Sequence, residues 1–114
     1  VGSLFILRLA YAEKLKPDEI YILSALHHLL DLDTEIEPYD LTLDRMSADE
    51  RRQWSVHVLR QLQARVDVAN DQIVFLAGFR YRQYLVPSIA HAEIRLERFP
   101  MAMQQQELRR LLNE

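Results

Sequence analysis

The stretch Gln72-Ile73-Val74-Phe75-Leu76-Ala77-Gly78, residues 72–78, decides the fold class. A continuous apolar run with two β-branched members reads as a strand buried on both faces. Gly78 closes it, and residues 79–89 read as a helix that ends or kinks at Pro87. Upstream, Ile20-Tyr21-Ile22-Leu23-Ser24-Ala25 has the same buried-strand character. It follows the turn Lys16-Pro17-Asp18-Glu19 and a helix over 3–15, where Leu4, Leu7, Tyr11 and Leu15 recur at helical spacing. Phe5, Ile6 and Leu9 put apolar side chains on other sides, so this helix is expected to be buried on more than one side or to want a neighbour.

Between the two strands, Ser47-Ala48-Asp49-Glu50 is a capping box opening a helix to about residue 66. Trp54, Val58, Leu59, Leu62 and Val66 form its core stripe, and Arg51, Arg52, Gln53, Gln61 and Arg65 are expected to be solvated. Residues 92–97 alternate around Ile94 and Leu96 and read as a third strand. Residues 101–112 read as a final helix. This alternation predicts a single α/β domain over 1–114: three layers, a mostly parallel sheet, helices on both faces and right-handed crossovers. Starting on a helix, it is expected to be missing an N-terminal strand.

Composition narrows the chemistry. The 114 residues are 49% apolar and 27% charged, a balance that suits a folded chain and not a disordered one. The lack of cysteine excludes a disulfide scaffold, cysteine-type zinc fingers and thiol catalysis. No apolar run is long enough to span a bilayer, so no membrane partner is expected, and a cytoplasmic location is. Residues 1–44 carry 3 bases against 9 acids; residues 45–114 carry 11 bases against 8 acids, and all 11 are arginine. Arginine suits forked contacts to phosphate, although the net charge of −3 argues against wrapping long duplexes.

In open α/β sheets, ligands sit beyond the carboxyl ends of the strands. Two segments qualify. Residues 26–45 lack a clean period and read as a long loop, which in a compact domain is usually functional. With Ser24 at the strand end, it offers His27, Glu37, Tyr39 and Asp40. The second segment is Gly78-Phe79-Arg80-Tyr81-Arg82, where a glycine junction, helix amides and Arg80 or Arg82 would complement a phosphate. It is neither a Walker loop nor a dinucleotide fingerprint, and the same residues would serve a tight turn with surface arginines.

No metal and no cofactor are expected. His27 and His28 would point to opposite sides of an extended segment. Ile36 and Thr42 occupy positions where an EF-hand needs glycine and glutamate. Ser24 lacks the glycine-flanked elbow of a serine hydrolase.

Ile22-Leu23-Ser24-Ala25, Leu29-Leu30-Asp31 and Ile36-Glu37-Pro38-Tyr39-Asp40-Leu41-Thr42-Leu43 resemble the signature of an uncharacterised bacterial and phage domain family. Met46-Ser47-Ala48-Asp49-Glu50-Arg51 and Phe75-Leu76-Ala77-Gly78 with Arg80-Tyr81-Arg82 and Leu85 extend the resemblance over nearly the whole chain. More distantly, the pattern resembles the peroxide-stress protein YaaA group and the uracil-DNA-glycosylase-like domains of tRNA-modifying enzymes. The resemblance implies an α/β fold with a nucleobase or nucleic-acid pocket. Leu26 and His28 stand where that family usually has lysine and glycine; Arg95, Arg98 and Ala102 replace a proline and two glycines, while Glu93, Glu97 and Gln104 remain. These departures remove an anion contact and backbone freedom, as in a diverged copy that binds without catalysis.

The expected function is therefore binding of a nucleotide, nucleobase or short nucleic acid by Ser24, His27, Glu37, Tyr39, Asp40, Gly78, Arg80, Tyr81 and Gln104. Glu37 or Asp40 would read base edges, and Arg80 with the Gly78 amides would hold phosphate. The alternative is an interaction module or homodimer that uses the apolar first helix. Whether any reaction is catalysed is left open.

Overall fold

The computed structural model describes residues 3–32 and 42–114. Glu37, Tyr39 and Asp40 lie outside the described residues. The fold mixes helices and strands, as expected, and groups into two compact units.

The first unit joins residues 1–20 to 94–114. It contains α1 (Ser3–Lys14) and α4 (Met101–Leu112), which pack on each other. Both bounds lie close to the sequence expectation, because periodicity and flanking prolines are local signals. Leu108 is wholly buried, and Tyr11 nearly so. The Tyr11 hydroxyl accepts a hydrogen bond from Arg95 at 2.8 Å. Lys14, in the last turn of α1, donates from Nζ to the carbonyls of Leu111 at 2.6 Å and Glu114 at 3.1 Å. A cation at the carbonyl end of α4 also complements that helix's dipole.

The second unit spans residues 21–93. Strands β1 (Tyr21–Ser24) and β2 (His28–Asp31) form an antiparallel hairpin with Ser24 opposite His28 and Tyr21 opposite Asp31. The segment expected to be one long loop thus contains a strand, and residues 25–27 are its turn. His28-Leu29-Leu30-Asp31 is too short to show a period, so only its cross-strand partner identifies it. Ser24 fixes the turn: its hydroxyl accepts from the His27 amide at 2.9 Å. His28 takes the left-handed conformation, φ 65°, at the start of β2.

The hairpin packs against α2 (Ala48–Gln63). Both halves of the predicted capping box form: Ser47 N–H donates to Glu50 Oε1 at 2.9 Å, and Glu50 N–H donates to Ser47 Oγ at 3.2 Å. Trp54, Val58 and Leu62 are buried, as the periodicity requires. Arg51 is not solvated as expected but 7% exposed, with a guanidinium nitrogen donating to the Met46 carbonyl at 2.6 Å.

Strands β3 (Gln72–Phe75) and β4 (His91–Ile94) make the second sheet. The described strands therefore pair two by two, and the three-layer, mostly parallel sheet predicted from their alternation is not formed among them. Neither β1 nor β3 is buried on both faces; in β3 only Phe75 is fully buried. The helix expected over 79–89 is a single turn, α3 (Phe79–Arg82), followed by a 3-10 turn at Val86–Ser88. Pro87 has no amide to donate, and its ring would meet the carbonyl of Gln83, so an α-helix cannot run through it. No described helix is long and apolar enough to cross a membrane.

Candidate functional site

Trp54 organises the second unit. Its indole N–H donates to the Ser24 carbonyl at 2.9 Å in a buried setting. Its ring meets Tyr81 edge to face, with centroids 5.8 Å apart and planes at 90°. Ser24 and Tyr81, predicted from separate loops, are thus both held against one tryptophan. His27 stands in the turn immediately after Ser24. Gly78 caps α3, its carbonyl accepting from Tyr81 N–H at 3.0 Å and Arg82 N–H at 3.3 Å. At φ −64° it uses no conformation reserved for glycine, and α3 is one turn long.

Around α3 and the first half of α2, arginines alternate with aromatic rings. The Arg82 guanidinium lies over Phe79 at 5.5 Å, and that of Arg52 lies over Tyr84 at 5.1 Å. Arg52 also pairs with Asp49 at 2.8 Å. Phe79 is 56% exposed, and Arg80 beside it is exposed. Sequence reasoning selected Arg80 and Tyr81 here, with Arg82 as the alternative phosphate contact, but left out Trp54 and Arg52. The Arg51-Arg52 doublet ahead of Trp54 was the available signal.

The same elements hold buried polar atoms that have no hydrogen-bond partner among the described residues: Arg51 Nε and Ser55 Oγ on α2, Arg82 Nε and Gln83 Oε1 on and after α3. Arg51 and Ser55 are four apart and share a helix face. An orphaned buried donor or acceptor typically costs about 1–3 kcal/mol, so their concentration in one region calls for a reason.

His28 and His57 stack at 3.9 Å between ring centroids, 19° from parallel, joining β2 to α2. Burial of the His28 ring, followed by the nearby His57 and His27, pushes its pKa below the usual histidine value. Stacked rings do not aim their nitrogens at a common point, and no metal-binding group of three or more His, Cys, Asp or Glu occurs among the described residues.

Gln104 belongs to the other unit. Its amide donates to the carbonyls of Leu96 at 3.2 Å and Phe99 at 3.1 Å, and its Oε1 accepts from Arg8 at 3.0 Å. These bonds staple the turn that precedes α4, where Leu96 has φ 66°. A shallow depression of about 560 Å³ lies at the end of α2, lined by Arg65, Val66, Asp67, Val68 and Asp71 among others, and touches none of the predicted residues.

The family model of DUF6884, described as a family of unknown function, matches residues 1–110. The chain belongs to the DUF6884 family. No curated protein and no solved structure matches it. In this DUF6884 chain, Ser24, Tyr81, Gly78 and Arg80 lie in the unit that carries the arginine–aromatic surface, and Gln104 lies in the unit built on α1 and α4.

Proposed function

We propose that this chain binds a nucleotide, a nucleobase or a short single strand of nucleic acid at the surface formed by α3 and the first half of α2. The observation that carries this reading is the interleaving of Arg52, Arg80 and Arg82 with Phe79 and Tyr84, over the unpartnered polar atoms of Arg51, Ser55, Arg82 and Gln83. Guanidinium groups track phosphates, and exposed aromatic faces take bases without a sequence preference. Arg80 is exposed, so its guanidinium can reach a ligand in solution.

Glu37, Tyr39 and Asp40 belong to this proposal as readers of base edges. The likeness to the YaaA group and to uracil-DNA-glycosylase-like domains, a bacterial or phage source and a cytoplasmic setting stand with it. The test is a fluorescence-anisotropy titration of labelled oligothymidylate and labelled adenine nucleotides. Saturable binding that weakens several-fold in Arg80→Ala supports the proposal. No binding of any nucleotide or strand at low salt overturns it.

A second reading, an interaction module or homodimer, is favoured by α1, where Ile6 is 57% exposed and Phe5 36%, and by α4, where Met103 is 50% exposed. Sedimentation separates the two: a monomer at all concentrations removes the homodimer.

A further inference from the structure

Hairpin β1–β2 is tied to α2 through three neighbouring residues of β2. The Leu29 amide donates to Gln61 Oε1 at 3.0 Å, Asp31 pairs with Arg65 just past the helix, and His28 stacks on His57. The first tie is an uncharged hydrogen bond and the second is an ion pair. Only the third consists of side chains whose ordinary charge change falls between about pH 5 and 8. We propose that the His28–His57 stack is a proton-sensitive clasp between the hairpin and α2, closed while both rings are neutral and opened when they charge.

The geometry sets the sign. Two neutral imidazoles at 3.9 Å attract by stacking, whereas two imidazoliums at that distance repel. His57 faces His28 from α2, His27 adds a third ring from the turn, and Ser24 stands opposite on β1. The other charged or titratable groups on these elements are Tyr21 on β1, which lies beneath the Arg65 guanidinium, Asp31, which that guanidinium pairs, and, on α2, Asp49, Glu50, Arg51 and Arg52 in its first half, engaged with one another or with residues 46–47, and Arg60 in its last turn. Among the described residues no carboxylate faces His28 to offset the repulsion.

The folded chain holds the His28 pKa down, so the unfolded chain binds more protons below the ordinary value of about 6.5. Stability is full above that pH, declines as pH falls through it and levels off below the folded-state pKa. The backbone concentrates the effect. His28 holds a left-handed conformation, and its partner Ser24 carries the carbonyl that Trp54 grips. Opening at His28 therefore reaches the single tryptophan of the chain.

The full chain is titrated from about pH 8 to 5, with Trp54 emission and the four imidazoles followed by fluorescence and NMR. The expected result is an emission change that tracks the His28 ring, with a midpoint below the ordinary histidine value, together with a melting temperature a few degrees lower at the acid end. His28→Asn, which tolerates the left-handed backbone, should abolish both effects, and His57→Gln, on an exposed position, should abolish the emission change and weaken the melting-temperature shift, since burial of His28 persists. His91→Gln should keep them. The clasp is overturned if the emission change survives in both His28→Asn and His57→Gln, or if the two rings titrate with no change in emission or melting temperature. This inference does not depend on the nucleotide-binding reading.

Discussion

The Trp54 indole donates to the carbonyl of Ser24, thirty positions earlier in the chain, and this bond fastens the end of β1 to the middle of α2. Both residues are buried, so the bond is shielded from water. Trp54→Phe keeps most of the ring but leaves the Ser24 carbonyl without this donor. The cost should be about 1–3 kcal/mol, read as a lower urea midpoint with unchanged slope. A midpoint equal to wild type would show that the bond contributes nothing net.

The capping box at the start of α2 makes a second, separable contribution. Ser47→Ala should lower stability by about 1 kcal/mol. The hydrogen bonds from Ser47, its backbone amide first, hold the Glu50 carboxyl below its usual range. Its stabilisation is present above the ordinary value of 4.5 and is lost as pH falls through the depressed folded-state value. Glu50→Gln keeps an acceptor for the Ser47 amide and should flatten that portion of the pH–stability curve. An unchanged acid limb in Glu50→Gln would assign it to other carboxylates.

Those two features differ in how far they could be read from the sequence. The Ser47–Glu50 box, α1 and α4 are legible because their determinants lie within a few residues. The Trp54–Ser24 bond is not, because nothing local marks a carbonyl thirty positions away. The same reason hides β2 and replaces the expected parallel sheet with two strand pairs: hairpin register depends on partners, and four-residue strands carry too little pattern to specify them. Arg51 was misplaced because its charge predicts solvent, whereas the fold covers it and supplies the Met46 carbonyl. At the candidate site, Arg80 and Tyr81 were legible as an arginine beside an aromatic, but their link to Ser24 passes through Trp54.

Gln104 was expected at a ligand, yet its side-chain amide is engaged by three protein partners. Gln104→Ala removes the donor to the Leu96 and Phe99 carbonyls and the acceptor for Arg8 together. A loss of about 1–3 kcal/mol is expected, with faster hydrogen exchange in residues 96–100 and the first turn of α4. Binding of oligothymidylate should be unchanged by this substitution under conditions where the variant stays folded. A selective loss of binding at unchanged stability would instead return Gln104 to the ligand.

The proposed surface divides its work between charge and stacking, and salt dependence separates the two. Replacing one phosphate-contacting arginine should reduce the slope of log K against log salt by about 0.7 for a single strand. Arg80→Ala should show that change, because its exposed guanidinium would exchange counterions with the phosphate. Phe79→Ala should weaken binding by about 1–3 kcal/mol while leaving the slope unchanged, because a lost base–ring stack releases no ions. Phe79 is more than half exposed, so its removal should cost little stability and the binding loss can be read directly. Equal slopes in both variants would exclude Arg80 from the phosphate path. A Phe79→Ala variant that binds as wild type would mean that bases are held elsewhere than on α3.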